Sequence, residues 1–83
     1  MQETATTSIP AAAYVAAHDH KLSRLEDIGR ERFRFIFPDE DGQVARLIVG
    51  FTNGDPAPQA NRFYWALQDL RVVVNRVKHG GVL

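Results

Sequence analysis

The strongest constraint on the fold lies near the C-terminal end, in the stretch Asn61-Arg62-Phe63-Tyr64-Trp65-Ala66-Leu67-Gln68-Asp69-Leu70-Arg71-Val72-Val73-Val74-Asn75-Arg76-Val77. Phe63, Leu67, Leu70, Val74 and Val77 recur at four-three spacing, which puts them on one face of a helix. Such a stripe must be covered, and only the apolar runs upstream can cover it. Asp55 and Pro56 read as the helix start, with Lys78 and His79 suiting its negative end and Gly80-Gly81 stopping it.

Upstream, Ser8 or Thr7 can cap a helix that Pro10 enters in its first turn. Ala11-Ala12-Ala13-Tyr14-Val15-Ala16-Ala17 continues it with small side chains, allowing close packing. His18-Asp19-His20 marks its end. Leu22 to Ile28 reads as a strand, and Gly29-Arg30 as a tight turn. Arg32-Phe33-Arg34-Phe35-Ile36-Phe37 is a stronger strand, with its three Phe on one face. Pro38 to Gln43 reads as an acidic hairpin loop with a turn at Asp41-Gly42. Val44 to Phe51 reads as a third strand, with Ala45, Leu47, Val49 and Phe51 inward. Residues 1–7 read as a flexible tail.

The expected fold is therefore α+β: a helix, a three-stranded antiparallel meander and a helix, with both helices on one face of a two-layer sandwich. Residues 8–83 form one domain, since 83 residues leave no room for a second core. The chain has no cysteine, which removes disulfides, thiolate metal sites and a thiol nucleophile. Ten basic residues balance ten acidic ones, so overall charge points to neither nucleic acid nor membrane. No run approaches the length of a membrane span, and the first seven residues lack the pattern of a signal peptide. The expected location is cytoplasmic.

Two surfaces are candidate binding sites. Pairing the second and third expected strands places Arg34 near Ile48 and Ile36 near Arg46. With Leu25 inward, the open sheet face gathers Arg24, Arg32, Arg34 and Arg46 around Ile36 and Ile48, with Glu26 the lone acid; a one-residue slip in the first strand would instead bring Ser23, Leu25 and Asp27 there. Arginine forks suit phosphate oxygens, and the interleaved isoleucines suit sugars, bases or a protein partner. The same face also fits a solvated surface laced by cross-strand pairs such as Glu26–Arg34. The second surface is on the long helix, where Trp65 and Val72 lie one heptad apart and off the main stripe, with Tyr64 nearby. Exposed, they suit a dimer contact or a partner groove. Alternatively, the Ala-rich helix packs there and buries both.

Metal and catalytic sites find little support. His18 and His20 do not share a helix face, and the Asp39–Gly42 stretch lacks the spacing of a calcium loop. No serine or threonine is marked by a histidine and carboxylate as partners, and there is no glycine-rich phosphate loop. No cofactor or small-molecule ligand is indicated. Two function classes remain: a non-catalytic protein-interaction module able to self-associate, and a nucleic-acid binder using Arg32, Arg34 and Arg46.

Ala12-Ala13-Tyr14-Val15, His20-Lys21-Leu22, the Phe33–Phe37 strand and Phe63…Leu67…Leu70-Arg71 together resemble a family of small bacterial and phage domains of unknown function, over residues 8–77. That resemblance implies an origin and a fold, and carries no catalytic motif. The helix–three strands–helix order is also similar to double-stranded RNA-binding domains. Those domains set lysines at the start of the second helix to grip phosphates. Here that place reads Asp55-Pro56-Ala57-Pro58-Gln59-Ala60, which argues against duplex RNA.

Overall fold

The computed structural model describes residues 2–30, 32–56 and 59–78. Along the chain run β1 (Glu3–Thr6), α1 (Ile9–Ala17), β2 (Arg24–Gly29), β3 (Arg32–Pro38), α2 (Gln43–Thr52) and α3 (Ala60–Lys78). The fold is α+β, with helices packed on a three-stranded antiparallel sheet of order β1-β3-β2. β3 is the central strand, and its Phe33, Phe35 and Phe37 face the helices and are buried.

Two segments take structures other than those their sequence suggested. Glu3–Thr6, expected within a tail, pairs with β3 in the register Thr4↔Phe37 and Thr6↔Phe35. β-branched Thr4 and Thr6 thus fall on the Phe side of the sheet, half-buried, and shield one flank of the central strand. Val44 to Phe51, expected as a third strand, lies within α2. Val44, Leu47, Ile48 and Phe51 have the i, i+3, i+4, i+7 spacing of a helix stripe. All four are buried or half-buried, while Val49 points outward. The sheet therefore keeps the expected strand number and antiparallel sense, but its third strand comes from the N-terminus and the strands do not form a consecutive meander.

What turns the chain into α2 is Asp39. Its carboxylate accepts the amides of Val44 (2.9 Å) and Ala45 (3.1 Å), two of the free N–H groups at the helix start. The N-cap itself, Gly42, has φ +78 and no side chain to do this. Thr4 donates its hydroxyl to the same carboxylate, tying β1 to the helix start. Where an acidic hairpin tip was expected, Asp39 is a buried cap, only 5 % exposed, while Glu40 and Asp41 stay exposed. The Thr4 hydrogen bond, then those from Val44 and Ala45, and the charge of Arg46 hold its carboxyl below the ordinary carboxylate range against the opposing effect of burial.

α1 begins as expected. Ser8 Oγ accepts the Ala11 amide at 3.2 Å, and Pro10 sits in the first turn. From Ile9 to Ala17 the helix carries no charged residue, and Ala11, Ala12, Ala13, Tyr14, Val15 and Ala17 are all buried. A helix apolar on all sides belongs inside. Both α2 and α3 pack against α1, whose alanines admit them closely. The Tyr14 ring meets Phe51 at a tilt, with centroids 5.3 Å apart, Phe51 stacks on Phe63 at 6.5 Å, and the Tyr14 hydroxyl donates to the Pro56 carbonyl. α3 contributes Leu70 and Val74 to the core, with Phe63, Leu67 and Val77 packed against it. Its stripe is the expected one, but it starts at Ala60 rather than beside Asp55. The expected stop at Gly80-Gly81 and the expected role of His79 lie outside the described residues.

Candidate protein-interaction surface

The open sheet face gathers only part of the expected arginines. Leu25 lies opposite Phe35 on the helix side, so Arg24 and Glu26 do share the open face with Arg34 and Ile36. Arg24 contacts Glu3 at 2.7 Å and Glu26 at 3.5 Å, and Arg34 contacts Glu26 at 3.1 Å. Glu3 comes from the strand that the sequence did not announce. The hydrogen bond that Arg24 donates to Glu3 is the main cause raising the Arg24 pKa above its ordinary value. Ile36 is buried, flanked in register by Ala5 and Arg24, and offers nothing to a ligand. Arg32 is exposed at the start of β3, beside a cleft it lines with Phe33, Val74 and Lys78.

Arg46 and Ile48 are not on the sheet at all, because they ride on α2. Ile48 packs against the core, and Arg46 lines a cavity of about 340 Å³ with His18, His20, Gln43 and Leu47. A phosphate-binding face needs arginines free to turn toward the ligand. On this sheet, Arg24 and Arg34 are engaged by Glu3 and Glu26 in a laced, solvated ladder of exposed pairs. The expected four-arginine surface is therefore divided between the sheet and α2 and partly neutralised.

His18 caps the C-terminal end of α1 and packs on Tyr14 with ring centroids 4.9 Å apart. Arg46, a cation, shares the cavity with both histidines, which makes it a poor place for a metal ion. Among the described residues no three His, Cys, Asp or Glu side chains converge in a way that could hold a metal.

The outer face of α3 is open. Trp65 is 63 % exposed, Tyr64 54 % and Val72 53 %. α1 does not cover them, because its alanines are spent on the inner face of α3. The end of α1 instead lies alongside, and a groove of about 330 Å³ opens there. Ala16, Ala17, Ala66 and Leu70 supply its apolar lining, Trp65 borders it, and Arg62 and Asp69 give it a polar rim. Arg62 is drawn toward α1 by Asp19, which holds a left-handed φ of 68 at the helix end. The rings of Tyr64 and Trp65 meet edge to face at 5.4 Å. An aromatic anchor beside a small apolar trough with charged edges is the pattern of a binding hot spot. Trp65 and Val72 were legible from sequence as an off-stripe pair; the groove was not, because it needs the end of α1 beside them.

The chain matches no protein-family model, no curated protein and no solved structure. Among the described residues, no helix is long and apolar enough to cross a membrane.

Proposed function

We propose that this chain is a small, non-catalytic protein-interaction module that docks a partner on the outer face of α3, with Trp65 as the anchor. The observation that carries this reading is the solvent exposure of Trp65 at the edge of the Ala16–Leu70 groove. Leaving an indole in water forgoes a large burial gain, which a partner would recover. A non-catalytic role fits the hydroxyls that the fold consumes: Ser8 caps α1, Thr6 accepts the Ser8 amide, Thr4 holds Asp39, and Thr52 donates to the Ile48 carbonyl. The lack of cysteine suits a reducing compartment such as the cytoplasm. A bacterial or phage origin rests on the core-pattern resemblance over residues 8–77.

Trp65 is the only tryptophan, so its emission reports on the proposed surface without labelling. The experiment is to pan a random peptide library against the protein and titrate recovered peptides while following Trp65 emission and its quenching. Binders that shield Trp65 and fail against Trp65→Ser support the reading. Binders that leave its emission unmoved and bind Trp65→Ser equally well, or a library that yields none, would refute it.

A further inference from the structure

β2 lies at the edge of the sheet, so its outer side has no strand partner among the described residues. Its residues alternate cleanly over the first four positions. Arg24 and Glu26 lie on the open face opposite Ile36 and Arg34, while Leu25 and Asp27 lie opposite Phe35 and Phe33. Two copies of such an edge can pair antiparallel about a twofold axis, and directly opposed residues then share a face. The residue on the axis opposes itself, so the charge pattern selects among registers.

An axis through Arg24, Glu26 or Asp27 sets like charges directly against each other, which is destabilising. An axis through Ile28 falls in the irregular stretch between Asp27 and Gly29, where the ladder is already broken. An axis through Leu25 is different. It sets Arg24 against the second copy's Glu26, and Glu26 against the second copy's Arg24. Leu25 meets itself, and Ser23 faces Asp27.

We propose that the chain self-associates through β2, antiparallel and centred on Leu25, joining two three-stranded sheets into one of six strands. Across the open face each row then alternates in sign: Arg34, Glu26, the second copy's Arg24. Arg24 already contacts Glu3 and Glu26 in its own chain, and a guanidinium with five N–H donors can take a further carboxylate. Charged residues on an edge strand ordinarily block such pairing. Here their order makes the edge complementary to itself in one register. Because exposed ion pairs contribute little, they fix the register, while backbone hydrogen bonds and the Leu25 contact provide the attraction. One strand pair buries an area at the small end for interfaces, so the dimer depends on concentration.

The test is light scattering or sedimentation over a concentration series. The wild-type mass should climb from 9.3 kDa toward twice that value. Arg24→Glu alone and Glu26→Arg alone each place like charges across the axis twice, and each should weaken association by about tenfold or more. Mixed in equal amounts, the two variants restore both opposite-charge contacts and should form a heterodimer. Because the chain has no cysteine, Leu25→Cys gives a second readout that does not depend on the reversed charges. Opposed residues in an antiparallel pair lie within disulfide reach, so Leu25→Cys should cross-link under mild oxidation and Asp27→Cys should not. A wild type that stays monomeric throughout, a mixture no heavier than its parts, or equal cross-linking of the two cysteine variants would overturn the proposal. Trp65→Ser should dimerise like wild type, which separates this edge from the α3 surface.

Discussion

Replacing Trp65 with serine distinguishes a binding residue from a core residue by magnitude alone. Trp65 is 63 % exposed. A tryptophan presents up to about 250 Å² of area, so roughly 90 Å² of it is covered within the chain. At about 25 cal/mol per Å², that burial contributes at most about 2 kcal/mol, and less when a compact unfolded state is the reference. Phe35, which is fully buried, should instead cost about 3–5 kcal/mol on truncation to alanine, transfer and cavity together. A domain of this length has a total stability of about 4–12 kcal/mol. Trp65→Ser should therefore keep most of its stability, with a modestly lower urea midpoint followed by far-ultraviolet circular dichroism, while Phe35→Ala should lose a large part of the total and unfold at a far lower midpoint. The roughly 160 Å² of indole still exposed sets a ceiling near 4 kcal/mol, or about a thousandfold in affinity, for what a partner can gain there. A Trp65→Ser loss comparable with that of Phe35→Ala would show that Trp65 is a core residue, and the α3 surface would lose its anchor.

Three further outcomes follow from the local geometry. Asp39 has a depressed carboxyl pKa, so the unfolded chain binds the proton more tightly; its stabilising contribution is present above the ordinary value of 3.8 and is lost as pH falls through the folded value. Asp39→Asn should lower stability at neutral pH and flatten the acid limb of the unfolding curve, read by circular dichroism between neutral and strongly acidic pH. Ser8→Ala removes the side-chain cap of α1 and should cost about 1 kcal/mol in urea denaturation. Deleting residues 2–7 removes β1 together with the Thr4 contact, and amide exchange should then speed up in β3 and in the first turn of α2, leaving the middle of α3 slower.

Much of the fold was legible because several segments satisfy only one period. The Phe33–Phe37 alternation fits a strand and the Phe63–Val77 stripe fits a helix, and both are found. Val44 to Phe51 satisfies two templates at once. Its alternating set is Ala45, Leu47, Val49 and Phe51; its helical set is Val44, Leu47, Ile48 and Phe51. Local pattern cannot separate them, and the choice falls to a carboxylate five residues upstream of Val44 that supplies the helix start with an acceptor. β1 was hidden for another reason. Glu3-Thr4-Ala5-Thr6 carries no alternation of large apolar residues, and it becomes a strand because β3 offers it a free edge and Asp39 holds Thr4.

The fate of the arginine face follows from that hidden strand. Counting residues 1–7 as a tail left Glu3 out of the charge balance and left Arg24 facing solvent. With β1 in place, acids and bases on the open face stand in the order Glu3, Arg24, Glu26, Arg34, each within contact distance of the next. Once residues 44–51 become a helix, Arg46 leaves the sheet altogether. The surface that looked basic from sequence is thus a balanced ladder, and a polyanion would have to compete with carboxylates already in position. The α3 face escapes this correction because Trp65 and Val72 sit opposite a stripe that five core side chains hold in place. The helical state of residues 44–51 takes Arg46 and Ile48 off the sheet, yet the expected Glu26–Arg34 pair and the outward direction of the indole are unchanged.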